Sequence, residues 1–518
     1  MSVRDIFSHQ AILSRKAWAI PAGLGLAALL PGQQALAAAS VNKGDTAWML
    51  MATALVVFMT VPGLALFYGG LVRSKNVLSI LMQVFVAFSL ISILWVVYGY
   101  SLAFTNGSGF IGSFDKMFLN GITTGSMAAT FSKETYIPEF AYLAFQLTFA
   151  AITPALIIGA FAERMKFSAV LLFLTIWFTF SYLPMAHMVW WWAGPDCYTL
   201  SAAAIDTVKA CVGDAAATDF LAKLAAATDD TAKAAVLSDY SAAVASANGW
   251  LFNKGALDFA GGSVVHINAG VAGLVCAIML GERVGLGREA MAPHNLTVAG
   301  IGTGMLLFGW FGFNAGSNLE ANGLTALVML NTILGAAAAT LAWSFGEWLT
   351  RGHASFLGAA SGMVAGLVAI TPACGWVGPM SAIVIGLIAG AVCLLAVVWL
   401  KKKLGYDDAL DVFGVHGIGG IVGALLTGIF VNPNWTGGWM GQGVVDYLAV
   451  DATAKTADFV MSTQIMAQIY SVLTAAALSA VVSVVALLIC KYTVGLRIEE
   501  QAEREGLDLS SHGERAYS

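Results

Sequence analysis

Charge is what this sequence lacks. Of its 518 residues, 11% are Asp, Glu, Lys or Arg, against about 25% in a soluble globular chain. So little charge cannot make a water-facing surface for so long a chain, which excludes a conventional soluble enzyme. An extended basic block is also missing and the net charge is only -5, so nucleic acid is not an expected partner. The third shortage is in metal ligands. The His and Asp residues of the apolar segments lie far apart, with no third or fourth ligand at a recognisable spacing. A metal-dependent membrane enzyme is set aside on that ground, and no cofactor is expected.

What fills the chain instead is apolar: 58% of residues are hydrophobic. Stretches of about twenty such residues recur, each able to cross a hydrocarbon core of roughly 30 Å at 1.5 Å per residue. Candidate spans run near 46–71, 77–102, 139–161, 168–189, 260–280, 296–314, 323–346, 355–370, 378–400, 412–430 and 465–492. The pattern predicts an all-α integral membrane protein with eleven transmembrane helices in a lipid bilayer. The 56 glycines suit helices that must pack closely without a hydrophobic drive between them.

The first residues read differently. Arg4, Arg15 and Lys16 precede a short apolar run from Ala17 to Leu30, and Ala35-Leu36-Ala37 supplies the small residues a signal peptidase accepts. This predicts a signal peptide over 1–39, a transmembrane domain over 40–494 and a tail over 495–518. A cleaved leader puts the mature N-terminus outside, so connections after odd-numbered spans should be cytoplasmic and collect Lys and Arg. Those connections hold Arg73, Lys75, Arg164, Lys166, Arg283, Arg288, Arg351 and Lys401-Lys402-Lys403. The expected place is the cytoplasmic (inner) membrane, with the C-terminus inside.

Residues 193–255 form an Ala-rich insertion with seven Asp against four Lys, expected to make one or two short amphipathic helices on the outer face. Cys197 and Cys211 lie there, in an oxidising compartment, and are expected to pair, with Cys374 as the competing partner. Cys276, Cys393 and Cys490 fall in spans and read as small packing residues. The tail, with Glu499, Glu500, Arg504 and Glu505, reads as a solvated cytoplasmic segment.

Ionisable groups within a membrane are costly and therefore functional candidates. His187 lies beside Trp190, Trp191 and Trp192 and reads as an interfacial residue. His266 and His416 have matching surroundings at an offset of 416 minus 266, or 150 residues. Gly follows each at four and seven positions (Gly270 and Gly273; Gly420 and Gly423), and Val and an Asp precede each. The Asp spacing is unequal, eight residues for Asp258 and five for Asp411. The pattern predicts an inverted five-helix repeat plus an eleventh helix, its two His-bearing helices meeting near the pseudo-two-fold axis around a central hydrophobic pore. Two packed, hydrogen-bonded histidines with no substrate are the plainer alternative.

The motifs carrying these residues are Gly255-Ala256-Leu257-Asp258-Phe259-Ala260-Gly261-Gly262-Ser263-Val264-Val265-His266-Ile267-Asn268 and Asp411-Val412-Phe413-Gly414-Val415-His416-Gly417. With Phe145-Gln146-Leu147-Thr148-Phe149-Ala150, Gly309-Trp310-Phe311-Gly312-Phe313-Asn314-Ala315-Gly316-Ser317 and Val494-Gly495-Leu496-Arg497, they closely resemble the signatures of the ammonium transporter family (Amt/Mep/Rhesus), from about Thr46 to the C-terminus. The resemblance implies an aromatic cage that recruits ammonium at Phe149, Trp190 and Ser317, with Phe145 contributing from a neighbouring subunit. Trp191 and Trp192 are alternatives for the cage position; the preceding His187-Met188-Val189 favours Trp190. It implies a stacked gate of Phe149 and Phe313, a twin-histidine pore of His266 and His416 and, in Asp258, a buried acid that supports ammonium binding or vestibule structure by holding backbone N–H groups. It further implies a homotrimer with one pore per subunit and a PII-type signal protein at the cytoplasmic tail. The function expected is ammonium transport, with deprotonation at the vestibule, conduction of ammonia and a proton relay along the histidines. The alternatives are an ammonium sensor signalling through the tail and an electroneutral gas channel.

Overall fold

Hydrophobic length governs the architecture. In the computed structural model, which describes residues 40–431 and 460–517, ten helices are long and apolar enough to cross a membrane. In chain order, with one shorter apolar helix among them, these are α1 (Lys43–Leu71), α2 (Ser74–Ala103), α3 (Glu139–Phe161), α4 (Phe167–Trp190), α5 (Gly262–Leu280), α6 (Leu296–Ala315), α7 (Gly323–Arg351), α8 (Phe356–Ile370), α9 (Pro379–Leu404), α10 (Phe413–Phe430) and α11 (Met461–Thr493). The shorter one is α8, whose 15 residues reach about 22 Å. The leader expected at 1–39 lies outside the described residues.

Small residues bring the helices together. A Cβ at Gly366 of α8 or Gly386 of α9 would fall 2.4 or 2.3 Å from the Gly335 carbonyl oxygen of α7, so only glycine admits those contacts. Helix α3 is the most enclosed, with 89% of its most apolar window buried. Side-chain caps set several starts: Asn42 on α1, Asn295 on α6, Asn322 with Thr325 on α7 and Ser355 on α8.

Three regions depart from expectation. A two-stranded antiparallel ribbon, Met127–Ala129 (β1) with Tyr136–Pro138 (β2), interrupts the all-α pattern in the loop before α3. The insertion holds three α-helices of eight or more residues, Ile205–Val212, Asp214–Ala226 and Asp230–Ser246, rather than one or two, and a single further turn at Trp250–Asn253. They close on a small core of their own, made by Leu200, Val208, Ala217, Tyr240 and Val244 with the disulfide-bonded Cys197 and Cys211. Cys374 is a buried free thiol.

The tail is solvated on one side only: Glu499, Glu500, Arg504 and Glu505 are exposed as expected, but its other side packs down on the loops. Glu503, Leu507 and Asp508 are buried, because the loops beneath them present unpaired N–H groups. The Asp508 carboxylate accepts from Leu78 N (3.0 Å) and Ser79 N (2.7 Å) at the start of α2. Glu503 accepts from Val284 N (2.7 Å) and pairs with Arg497 (2.8 Å). Backbone bonds Lys166 N to Leu496 O and Ile498 N to Arg164 O complete a clamp on the loops after α1, α3 and α5.

Candidate functional site

Helix α5 starts at a carboxylate. Asp258 accepts N–H bonds from Gly261 (3.0 Å), Gly262, Ser263 (2.7 Å) and Val264 (3.1 Å), occupying the donors a helix start leaves orphaned. The chain then runs through a π-helical turn, Gly262–Ile267, that carries His266. Helix α10 opens in the same way with the π-helical turn Phe413–Gly417, which carries His416. Its capping acid is Asp408, whose Oδ2 accepts from Phe413 N at 2.7 Å. This corrects the sequence reading, which paired Asp258 with Asp411. Asp408 precedes His416 by eight residues, as Asp258 precedes His266, while Asp411 is taken by the Lys401 ammonium at 2.7 Å.

These two turns bring the imidazoles into contact. The Nδ1 atoms of His266 and His416 are 3.2 Å apart, with ring centroids at 5.3 Å. A shared Nδ1–Nδ1 bond carries one hydrogen, so one ring donates and the other accepts. The Nε2 atoms then differ: the donating ring has a bare Nε2 lone pair and the accepting ring an Nε2–H. His266 Nε2 is buried without a partner among the described residues. The rings border a constriction of about 10 Å³ whose other walls are apolar or aromatic, among them Ile152, Leu156, Leu306 and Trp310.

An aromatic column leads from this pair to one face. The Phe313 ring lies 6.1 Å from His266, Phe149 is stacked on Phe313 at 4.1 Å, and Trp190 meets Phe149 edge-on at 5.7 Å. Above the stack opens a cavity of about 290 Å³ lined by Phe149, Trp190, Ser317 and Asp258 among others. Trp190 is held there by its indole N–H, which donates to the Asp258 carbonyl at 2.9 Å; the capping acid thus also positions the tryptophan. Ser317 Oγ donates to Phe313 O at 2.8 Å, leaving its lone pairs free to accept.

Trp191 and Trp192 also line the cavity, but Trp191 packs on His187 (6.0 Å) and Trp192 is sandwiched by Phe131 (6.0 Å) and Phe252 (5.7 Å) at the rim. Phe145 lies behind the column, buried and edge-on to Phe149 at 5.0 Å, and does not line the cavity. His187 is fully buried, its ring nitrogens 2.9 and 2.8 Å from the carbonyls of Ala103 and Ser108; it ties the loop after α2 to α4 and lines neither cavity. Sequence reasoning missed Trp310, stacked on His266 at 5.5 Å, and the cavity residues Lys116, Glu139, Tyr142 and Gln146. Helical spacing from Phe149 could have found the last three; nothing in the sequence points to Lys116.

A model of the Ammonium Transporter Family matches residues 47–517. The chain belongs to the ammonium transporter family. This is a family of transporters rather than enzymes. An ammonium transporter of Aquifex aeolicus is 43% identical over 482 residues, covering 93% of this chain and 95% of the relative. One of Bacillus subtilis is 40% identical, covering 92% and 99%. Among solved structures, Saccharomyces cerevisiae Mep2 superposes with a TM-score of 0.69 at 31% identity, over 89% of this chain and 91% of the other. A protein described as a sensor Amt protein does so at 0.68 and 26%, over 90% and 98%.

Proposed function

We propose that this member of the ammonium transporter family recruits ammonium in the aromatic cavity, removes its proton and conducts ammonia past His266 and His416. The observation that carries the reading is the 3.2 Å Nδ1–Nδ1 contact at the foot of the aromatic column. Cation–π attraction to Phe149 and Trp190 is worth up to about 2 kcal/mol where the ion is desolvated, and Ser317 offers an acceptor for one N–H. Beyond the Phe149/Phe313 gate an intact ammonium ion would lose its hydration among apolar walls, a cost of many kcal/mol that neutral imidazoles do not repay. Ammonia carries no such penalty, and the Nε2 lone pair and Nε2–H suit its N–H groups and its lone pair.

The reading includes eleven transmembrane helices with α8 as one of them, arranged as two inverted halves of five plus α11. The matching Asp-to-His spacing in α5 and α10 supports it. It also includes a cleaved leader over 1–39, the cavity facing outward and the tail inward in the cytoplasmic membrane, a homotrimer, and a PII-type protein at the inner face; the Lys- and Arg-bearing loops under the tail clamp support that orientation.

The test is uptake in proteoliposomes. The His266→Asp, His416→Glu double variant should lose at least about ten-fold in ammonia conduction, roughly the 1.4 kcal/mol or more expected when a hydrogen-bonded site is lost; normal conduction would defeat the pair's role. Membrane currents separate a proton relayed along the pair, which carries charge, from one returned outside. A sensor that signals through the tail is the second reading, favoured by the clamp that joins three loops. It predicts binding without flux, and labelled methylammonium uptake by a transport-deficient cell decides between the two.

A further inference from the structure

Glu139, Tyr142, Gln146 and Phe149 follow one another along α3 at spacings of three, four and three, so they share one helix face. They form a ladder about 15 Å tall at 1.5 Å per residue, and all four line the large cavity. Its lowest rung is the phenylalanine stack; its top rung is a carboxylate whose side chain is only 6% exposed. A carboxylate in that position attracts any cation entering the cavity, since partial burial weakens solvent screening. In this structure it is already engaged. Glu139 Oε1 accepts the Tyr100 hydroxyl at 2.8 Å and the Lys116 ammonium. Lys116 Nζ also lies 5.9 Å from the centre of the Tyr100 ring, and Lys116 and Tyr100 line the same cavity.

A primary ammonium held between a carboxylate and an aromatic ring is in the chemical setting that a free ammonium ion would select. We infer that Glu139 and Tyr100 form an outer cation subsite for ammonium, and that Lys116 is a tethered competitor resident in it. Lys116 is suited to leave: its side chain is 36% exposed, on a flexible four-carbon stem that can swing its head into water. A tethered group competes at an effective concentration on the order of mM, so Lys116 holds the subsite when ammonium is dilute and yields as it accumulates. The pair thus sets the concentration at which the cavity fills, while Phe149, Phe313 and the histidines act further in.

The inference rests on the transport reading and is tested on the full-length protein in proteoliposomes, with ammonium-driven flux measured against concentration. Lys116→Met should lower the half-saturating ammonium concentration about five-fold, the upper end of what a part-exposed ion pair contributes, with little change in maximal rate. Glu139→Gln, which leaves the lysine uncompensated, should raise it by a similar factor. The double variant should return to within about two-fold of the parent, as should Lys116→Arg, which keeps the charge. Both shifts should shrink as salt rises. Titrating tryptophan fluorescence with ammonium gives the same ordering without relying on flux. A Lys116→Met protein with parental elution and maximal rate but an unchanged or higher half-saturation overturns the inference while leaving the transport reading intact. Absence of ammonium-driven flux in the parent overturns both.

Discussion

At the cavity end, α5 begins on Asp258, which accepts four backbone N–H groups and whose carbonyl holds the Trp190 indole. At the tail end, α10 begins on Asp408, where Oδ2 accepts from Phe413 and Oδ1 has no partner among the described residues. The spacing to histidine is the same eight residues, and both histidines ride on π-helical turns, a distortion that recurs at functional sites. What differs is the company each acid keeps. Asp258 is enclosed by backbone donors, and its carbonyl accepts the Trp190 indole N–H. Asp408 lies among charges: Lys401 Nζ donates to its carbonyl at 2.6 Å and to Asp411 at 2.7 Å, and Asp407 beside it pairs with Arg283 at 2.9 Å. One local device therefore sits in a shell of backbone hydrogen bonds at the cavity end and in an ion-pair lattice, reached by the tail clamp, at the other.

The sharpest way to break this comparison is at the glycines one turn beyond each histidine. A Cβ at Gly270 would sit 2.2 Å from Gly417 N, backbone that cannot yield, whereas at Gly420 the nearest atoms are farther off, Ile267 Cγ1 at 2.9 Å and the Gly262 carbonyl oxygen at 3.0 Å. Gly270→Ala should cost about 3 kcal/mol and abolish transport, and Gly420→Ala about 1 kcal/mol, the two ends of the overpacking range. Thermal unfolding in detergent and proteoliposome uptake measure both, and equal losses would erase the asymmetry. Next come the acids themselves. Asp258→Ala strands four donors and should cost about 2–3 kcal/mol, with weaker ammonium binding as Trp190 loosens, while Asp408→Ala should cost about 1 kcal/mol.

The smallest effect is in pH. Burial raises the Asp408 carboxyl to about 6, against the pull of Lys401. Between about pH 4 and 6 the folded protein therefore holds a proton that the unfolded chain has released, and stability falls as pH rises through that window. Asp407 has the opposite sign: against burial, Arg283 and Arg164 hold it below the usual carboxylate value, so its contribution is present at neutral pH and lost on acidification. Asp408→Asn should flatten the fall between pH 4 and 6 and leave the acid-side loss, read as unfolding midpoint against pH. An unchanged profile would show that Asp408 does not titrate there.

Much of this architecture is readable along the chain, because an apolar run of some twenty residues has few stable places other than lipid. The ten long helices cover ten of the eleven expected spans, with α8 at the remaining one. His266 and His416 could be paired on paper because equal spacing to glycine is a local property of each helix. Partner choice is not local. Which aspartate caps α10 depends on where each carboxylate lies in space: with φ of 61°, Asp411 turns toward Lys401, and Asp408, its neighbour at three residues, takes the helix end. A tail of Glu and Arg reads as solvated, and Glu499, Glu500, Arg504 and Glu505 are exposed, but Glu503 and Asp508 are buried against loop N–H groups that only the fold places beneath them. Lys116 and Glu139 are 23 residues apart, and only the fold makes them walls of one cavity. Sequence by itself determined where the chain is apolar and which residue types it can offer the site; tertiary structure decided who meets whom, because hydrogen bonds and ion pairs depend on distances that no spacing along the chain specifies.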